Sequence, residues 1–249
     1  MDLELKGKVA IVTGASNGIG AAAAQMFAAA GATVVVGYNN SLERAQQVIG
    51  GMSGKGHRAQ RIVLEDSATM KKAAEDVRAA YGRCDILVNS AGFTQPVAHA
   101  NLEGLTDALM DSVLIANVRG PFAMVRAFEP LLRESGDAVI VNVSSIAGFT
   151  GSGSSIAYAA AKAALDNMTM ALGRVLGPEI RIMCVSPGAV NTDFVAGRTF
   201  EAIQKASAAA PLRKVIEPVD VARTIMGCVL YLKNTTGTKI VCDNGRFLV

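Results

Sequence analysis

The chain has 249 residues, a length that suits one large α/β domain with a substantial core. Its composition is 51% hydrophobic and rich in alanine, glycine and valine, which suits helices packed closely on a parallel sheet. The formal charge of +3, without a basic run, argues against a nucleic-acid-binding protein.

Cysteine, histidine and apolar stretches exclude several other classes. The four cysteines have no ligand-like spacing, and we interpret them as buried residues in a reducing compartment: Cys84, Cys184, Cys228 and Cys242. His57 and His99 are isolated, so we expect neither a metal site nor a histidine base. The uncharged stretches Val9–Leu42 and Ala138–Ala161 are broken by polar turn residues, and no signal peptide is recognisable. The sequence predicts a soluble, cytoplasmic protein without a membrane span.

In chain order, the first predicted unit is a strand, a glycine turn and a helix. Val9–Thr13 predicts a short buried strand, and an alanine-rich helix runs to about Ala30. Between them the glycines follow a G-x-x-x-G-x-G spacing at Gly14, Gly18 and Gly20. Glycines in this context allow a tight turn, a close approach of the backbone to a pyrophosphate, and close packing of helix on strand.

Strands and helices then alternate to the end of the chain. Six further strands are predicted at Thr33–Val36, Arg58–Leu64, Ile86–Val88, Ala138–Val143, Ile180–Val185 and Thr238–Cys242. Helices are predicted at about Leu42–Met52, from the cap Asp66 to Tyr81, over Leu105–Arg133 with an interruption near Pro121, from Tyr158 to about Leu176, and over Val219–Leu232. Seven strands joined in this way predict a doubly wound parallel sheet in a single domain, residues 1–249.

Residues 189–217 interrupt the alternation. They contain a short predicted helix near Phe200–Ala208 and several apolar residues. A long irregular insertion is typical of a lid or binding loop, so we expect this segment to shape a substrate pocket. Its basic residues fit either an acidic carrier or ordinary surface charges: Arg198, Lys205, Arg213 and Lys214.

Polar and glycine-rich residues follow four of the predicted strands. They are the Gly14 turn, Asn89–Gly92, Ser144 with Ser145, and Pro187 with Gly188. Ligands of doubly wound sheets bind outside the carboxyl ends of the strands. The sequence therefore predicts one ligand site at this edge of the sheet.

Tyr158 and Lys162 lie four residues apart in a run that predicts a helix, so their side chains share one face. An ammonium beside a phenol favours the phenolate, and we expect it to lower the pKa of Tyr158 from its ordinary value of about 10. Such a phenol can donate a proton to a developing alkoxide. Alone, the spacing favours a half-buried tyrosine beside a surface lysine, and it is the glycine turn at the amino-terminal end that favours catalysis instead.

These motifs resemble the classical short-chain dehydrogenase/reductase family over nearly the whole chain, in particular its 3-oxoacyl-(acyl carrier protein) reductase branch. The likeness covers the glycine turn, the Y-x-x-x-K pair and a P-G-x-x-x-T segment ending at Thr192. Two positions depart from the family pattern, Ser90 in N-N-A-G and Asn244 in D-G-G. The resemblance implies a Rossmann-like fold and hydride transfer between NAD(P)(H) and a carbonyl or secondary alcohol.

The resemblance also implies roles for four catalytic residues. Ser145, rather than Ser144, would hydrogen-bond the substrate oxygen, and Tyr158 would protonate the alkoxide. Lys162 would lower the pKa of Tyr158 and bind the nicotinamide ribose, and Asn117 would hold a water in a proton relay. The implied cofactor-binding residues are Gly14, Ser16, Asn17, Gly18, Ile19, Gly20, Tyr38, Asn39, Ser41, Asp66, Asn89, Ala91, Gly92, Tyr158, Lys162, Pro187, Gly188, Val190 and Thr192. For Asp66, a helix cap and an adenine contact are both open.

Cofactor choice depends on the residues after the second strand. Tyr38 stands where NAD-selective relatives carry an aspartate, and no carboxylate follows directly. Asn39 and Ser41 can donate hydrogen bonds to a phosphate, with Arg44 nearby, whereas Asn17 replaces an arginine common in NADP-using relatives. Because an acid would repel the 2′-phosphate, its absence predicts NADP(H), with NAD(H) as the alternative.

The leading functional interpretation is an NADPH-dependent reductase of ketones or 3-oxoacyl groups, with a small-molecule or acyl-carrier-linked substrate. An NAD-dependent polyol or secondary-alcohol dehydrogenase is the alternative enzyme. A non-catalytic nucleotide-binding regulator or a methyltransferase would have no use for Tyr158 and Lys162 together. The small-residue faces of Leu105–Arg133 and Ala157–Leu172 predict a homotetramer.

Overall fold

The computed structural model describes residues 4–249 and contains one seven-stranded parallel sheet. Its strand order is β3-β2-β1-β4-β5-β6-β7. The strands are β1 Val9–Val12, β2 Thr33–Tyr38, β3 Arg58–Arg61, β4 Ile86–Asn89, β5 Ala138–Val143, β6 Ile180–Pro187 and β7 Thr238–Cys242. The helices are α1 Gly18–Ala29, α2 Leu42–Gly50, α3 Ser67–Tyr81, α4 Asp107–Leu114, α5 Gly120–Ser135, α6 Ala147–Thr150, α7 Ile156–Gly173, α8 Phe200–Ala208 and α9 Pro218–Leu230. The predicted doubly wound α/β fold is confirmed.

Two apolar cores, one on each face of the sheet, hold these layers together. Every residue of β1, β4 and β5 is buried, as expected for strands covered on both faces. Phe27 of α1 and Ile225 of α9 belong to one core, and Met70 of α3 and Phe128 of α5 belong to the other. Each such side chain contributes about 1.5–3 kcal/mol when fully buried.

Several predicted strand ends are wrong by a few residues because pairing with a neighbour decides them. Strand β2 continues to Tyr38 instead of ending at Val36, since Tyr38 pairs with Arg61 of β3. Within it, a Cβ at Gly37 would lie 2.8 Å from the Val12 carbonyl oxygen, so this strand position requires glycine. Strand β3 ends at Arg61 rather than Leu64, and β6 extends to Pro187 by pairing with β7.

The predicted Leu105–Arg133 helix consists of α4 and α5 joined by a π-helical turn, Ile115–Arg119. The interruption therefore precedes Pro121. Because the helical run continues through this turn, the missing N–H of Pro121 leaves the carbonyl of Asn117, four residues earlier and inside the π-helical turn, without its regular helical partner.

The continuous helical run from Asp107 to Ser135 is long and apolar enough to cross a membrane, judged by length and composition alone. It packs within the domain, and α5 buries Met124, Phe128 and Leu132 against the sheet. Because core helices of soluble proteins have the same properties, this run is weak evidence for a membrane span.

Candidate active site

The glycine turn between β1 and α1 is fixed by backbone contacts. Gly14 and Gly18 have positive φ angles of 64° and 53°, which disfavour residues with a Cβ. A Cβ at Gly14 would lie 2.8 Å from the Ala91 Cα atom, and one at Gly20 would lie 2.5 Å from the Gly14 carbonyl oxygen. Asn17 precedes α1 without a side-chain cap, and no acid lies in the first turn. The helix N-terminus can therefore accept an anion such as a pyrophosphate.

The ends of β1 and β4 are tied together behind this turn. The Thr13 hydroxyl oxygen accepts hydrogen bonds from the backbone N–H groups of Ser90 at 3.1 Å and Ala91 at 3.0 Å. The amide group of Asn89 points inward and donates to Asn142 Oδ1 at 2.9 Å. Of the residues predicted here, Ala91 therefore borders the glycine turn, whereas the Asn89 side chain links two strands.

Helix α7 presents Tyr158 and Lys162 on one face, as predicted. Its N-cap Ser155 accepts a hydrogen bond from the Tyr158 backbone N–H at 3.2 Å, which fixes the first turn. The Lys162 Nζ atom lies 5.5 Å from the centroid of the Tyr158 ring. Nζ also donates to the Val143 carbonyl oxygen at 2.8 Å, so the ammonium is anchored to the end of β5.

The two serines after β5 have different surroundings. Ser144 is buried, and its hydroxyl donates to the Lys162 carbonyl oxygen at 3.4 Å. Ser145 is partly exposed, its hydroxyl oxygen accepts a hydrogen bond from the Ala147 N–H at 3.2 Å, and the Ser145 side chain acts to lower the pKa of Tyr158. Of the two hydroxyls, that of Ser145 is therefore the one that meets the phenol.

Asn117 lies in the π-helical turn and is completely buried. Its amide nitrogen donates to the carbonyl oxygens of Phe93 at 2.6 Å and Val113 at 2.9 Å. Its Oδ1 atom has no hydrogen-bond partner among residues 4–249. A Cβ at Gly92 would lie 2.7 Å from that oxygen, so glycine keeps the space beside it open. The free acceptor suits the water that the predicted relay requires.

The expected lowering of the Tyr158 pKa by Lys162 is wrong for this structure. Burial raises the pKa of Tyr158 to about 12, against which the Ser145 hydrogen bond and the charge of Arg198 act. Burial also lowers the pKa of Lys162 to about 8, while Cys184 and Asp166 raise it. Burial is the largest cause of both shifts, and the ammonium donates to a carbonyl oxygen instead of the phenol.

One cavity of about 410 Å³ joins these groups. Its walls include Ser145, Tyr158, Lys162 and Gly188, together with Ile19 from the glycine turn. The remaining wall comes largely from the 189–217 segment.

The 189–217 segment is held at its base and contacts both halves of the site. Val190 and Ile216 form a parallel β-bridge that closes the segment. Thr192 packs on the glycine turn, since a Cβ at Gly18 would lie 3.4 Å from its Cγ2 atom. The Phe194 ring centroid lies 5.8 Å from that of Tyr158. Helix α8 occupies the predicted range.

The residues predicted for the adenosine end lie apart from this cavity, around the ends of β2 and β3. Asp66 caps α3, with Oδ1 accepting from the Ala68 N–H at 2.9 Å, so its predicted cap role is confirmed. The Ser41 hydroxyl oxygen caps α2 by accepting from the Arg44 N–H at 3.2 Å. The adenine contact of Asp66 stays a prediction.

Sequence reasoning missed two arginines. Arg61 Nε donates to the Asn39 carbonyl oxygen at 3.4 Å, which places a cation at the end of β2. The pairing of Arg61 with Tyr38 was the available signal, but it requires the register of β2 against β3. Arg246 lines the cavity from the far end of the chain, and no local motif marks it.

Comparison with known proteins agrees with this geometry. Residues 8–201 match the family model of the short chain dehydrogenases. The 3-oxoacyl-(acyl-carrier-protein) reductase FabG of Thermotoga maritima is 34% identical over 227 residues, 90% of this chain and 91% of that protein. The reductase of the same name from Aquifex aeolicus is 32% identical over 253 residues, 99% of this chain and all (100%) of the relative.

Among solved structures, a short chain dehydrogenase from Burkholderia cenocepacia J2315 in complex with NADP superposes with a TM-score of 0.87. It is 32% identical, and the match covers 98% of this chain and 99% of the other. The chain therefore belongs to the short-chain dehydrogenase family and is an oxidoreductase that uses a nicotinamide nucleotide.

Proposed function

We propose that the protein reduces a ketone or 3-oxoacyl-type carbonyl to a secondary alcohol with NADPH. The observation that carries this proposal is the convergence of Ser145, Tyr158 and Lys162 on one cavity that also borders the glycine turn. The names of the two reductase relatives support a 3-oxoacyl-type substrate. An NAD-dependent alcohol dehydrogenase would use the same side chains oxidatively, and the cofactor and substrate assays below separate the two.

The bound nucleotide supplies the hydride, and the side chains control the carbonyl oxygen and its proton. The Ser145 hydroxyl donates to the substrate oxygen and aligns it. The Tyr158 phenol then donates its proton to the same oxygen as negative charge develops there. Because its pKa is raised to about 12, the phenol is protonated near neutral pH, the form that reduction requires.

Lys162 and Asn117 restore the proton on the phenol. Below its pKa of about 8, Lys162 is positively charged and stabilises the phenolate left after proton transfer. The unpartnered Oδ1 of Asn117 accepts a hydrogen bond from a water that carries protons inward from solvent.

The protein fits a dinucleotide along the whole edge of the sheet. The glycine turn and the uncapped start of α1 fit the pyrophosphate, because both offer backbone N–H groups without a competing acid. We propose that the nicotinamide half lies between Lys162 and the Gly188–Thr192 backbone, and that Asp66 contacts the adenine. From Asn89 we expect a backbone contribution, since its side chain is engaged inside.

Preference for NADPH over NADH rests on the ends of β2 and β3. Tyr38, Asn39 and Ser41 place no carboxylate at the end of β2 itself, and the nearby Asp66 carboxylate accepts a hydrogen bond as the cap of α3. Arg61 supplies a guanidinium beside Asn39, which compensates for the missing arginine at Asn17. The Arg61 guanidinium therefore favours a 2′-phosphate at the end of β2, where no acid takes the position of Tyr38.

Absorbance assays of 3-oxobutanoyl thioesters and simple ketones with each cofactor test the proposal. We expect a higher kcat/KM with NADPH, and Tyr38→Asp should shift the preference toward NADH by about tenfold or more through repulsion. Arg61→Gln should lower kcat/KM with NADPH and leave kcat/KM with NADH unchanged. Arg58→Gln is the control: the Arg58 guanidinium stacks on Tyr81, so its loss should leave both values unchanged. A clear NADH preference in the wild type would show that the argument from the absent acid is wrong.

We propose a cytoplasmic homotetramer as the working form. The four cysteines are unpaired, which supports a reducing compartment. Exposed apolar side chains, Phe122 on α5 and Met170 on α7, support association through the faces predicted from the sequence. Light scattering should give a tetramer, and a monomer across micromolar concentrations would contradict it.

A further inference from the structure

The substrate end of the cavity carries an unbalanced positive charge. Arg198 and Arg246 line it together with Lys162, and no aspartate or glutamate among residues 4–249 lines it. The whole chain has 21 acidic residues against 24 lysines and arginines, so a wall with the average composition would contain about as many acidic as basic side chains. The cavity wall is therefore more positively charged than the molecule as a whole.

Arg198 and Arg246 both have guanidinium N–H groups that find no acceptor among residues 4–249. Neither takes part in any of the ion pairs formed among residues 4–249. Arg246 donates one hydrogen bond, from Nη1 to the Ala206 carbonyl oxygen at 2.8 Å, which holds it against α8. Among residues 4–249, no oxygen accepts a hydrogen bond from the Arg198 guanidinium. The neighbouring cavity walls are apolar and include Phe194, Val195 and Ile203.

Both arginines line the cavity that contains Tyr158. Partial burial of its side chain lowers the pKa of Arg198, although the residue as a whole is exposed; the charge of Tyr158 raises this pKa, and repulsion from Arg246 lowers it further. The charge of Arg198 also lowers the pKa of Tyr158. Two like charges held together in a partly apolar cavity are unfavourable, and an anion bound between them relieves the repulsion.

We propose that the substrate carries a carboxylate, which Arg198 and Arg246 bind while Ser145 and Tyr158 hold its ketone. Two guanidinium forks suit the planar oxygens of a carboxylate. This inference rests on the proposed function and narrows its substrate to a free oxo acid instead of a neutral thioester. A phosphodiester in a carrier arm offers similar charge, but it lies far along the arm from the carbonyl, whereas Arg198 and Arg246 line the same cavity as Ser145 and Tyr158.

The test compares matched anionic and neutral ketones with the holoenzyme and NADPH. The anionic probes are 3-oxobutanoate, 4-oxopentanoate and 5-oxohexanoate, each paired with its primary amide. The thioester probes are 3-oxobutanoyl-N-acetylcysteamine, which is neutral, and 3-oxobutanoyl phosphopantetheine, which carries its anion at a distance. For each probe kcat/KM is measured, and calorimetry gives its dissociation constant from the complex of the enzyme with NADP⁺.

We expect at least one oxo acid to exceed its amide about 10- to 100-fold in kcat/KM and in affinity, the range for a charge-assisted hydrogen bond. Arg198→Gln and Arg246→Gln should each remove the preference for the acid over its amide, measured as the ratio of the two kcat/KM values and of the two dissociation constants, while Arg198→Lys should retain part of it. Lys205→Gln is the matched control, because Lys205 is exposed on α8 outside the cavity wall and should have no effect.

Equal use of acids and amides by the wild type, or a preference that survives both glutamine variants, would overturn the inference. If phosphopantetheine thioester alone shows the arginine dependence, the anion is the carrier arm and the oxo-acid assignment is wrong. Turnover of the neutral thioester without discrimination would leave the proposed function standing and the inference refuted. Arginine-dependent binding of an oxo acid without reduction of any probe would support the carboxylate site and refute the proposed function.

Discussion

The two halves of the active site are positioned by different means. At the glycine turn, backbone contacts set the geometry, because Gly14 and Gly20 leave no space for a Cβ and Thr13 ties the turn to the end of β4. Around the carbonyl site the side chains set the geometry, since Ser145, Tyr158 and Phe194 line one cavity and the rings of Tyr158 and Phe194 are in contact. The first arrangement is common to any dinucleotide, whereas the second can change with the substrate.

This difference predicts how each half responds to substitution. A side chain added in the backbone-defined half should lower folding stability and nucleotide affinity together. A functional group removed from the other half should lower turnover while the fold persists. The four experiments that follow test this division, in order of decreasing effect.

The largest effect is expected for Tyr158→Phe. The variant keeps the ring and its contact with Phe194 but removes the hydroxyl that protonates the alkoxide. We expect kcat to fall about 10²–10⁴-fold, the usual contribution of general acid catalysis, with the thermal midpoint nearly unchanged. Near-normal turnover would refute the mechanism, and a large loss of stability would refute the division between the two halves.

A smaller effect is expected for Ser145→Ala, and it has a natural control one residue away. Loss of the hydroxyl that holds the substrate oxygen should lower kcat/KM about 10²–10³-fold. Ser144→Ala removes only a long hydrogen bond to the Lys162 carbonyl oxygen and should be much milder. Steady-state kinetics of the two variants decide the matter, and the reverse order would exchange their roles.

In the backbone-defined half, Gly14→Ala should lower the free energy of unfolding. The new Cβ meets the Ala91 Cα atom at 2.8 Å, and φ is +64°. We expect a loss of about 1–3 kcal/mol in urea denaturation, with weaker nucleotide binding. Gly50→Ala is the control, because nothing lies within 4 Å of its Cβ in α2, and it should raise stability by about 0.5–1 kcal/mol. Equal effects of the two variants would contradict the argument.

The smallest effect is a pH dependence set by Lys162. Its pKa is lowered to about 8, so it is charged below that pH and loses its proton above it. Since the charge stabilises the phenolate, kcat/KM for reduction should be level below pH 8 and fall about tenfold per pH unit above it. Lys162→Arg should move the fall to higher pH. If kcat/KM of the wild type stayed level up to pH 10, Lys162 would not be the group that stabilises the phenolate.

The division between the halves also explains what the sequence could predict. The strands, the glycine turn and the Tyr158–Lys162 face follow from local patterns, and all are found. The raised pKa of Tyr158 could not be predicted, because it depends on burial by distant segments. The same holds for Arg246, which reaches the cavity only through the complete fold. Local spacing identifies reacting groups, while their environment is a property of the packed chain.

The π-helical turn at Ile115–Arg119 holds one residue more than a regular α-helical turn, between two packed faces. Before it, Val113 of α4 packs with Ala157 and Ala161 of α7, and after it Phe128 of α5 packs on the sheet. Because the hydrogen bonds of a π-helical turn join residues five apart instead of four, the turn absorbs its extra residue while both faces keep their packing. The irregularity that holds Asn117 is therefore a local feature of the site that the surrounding fold accommodates without repacking.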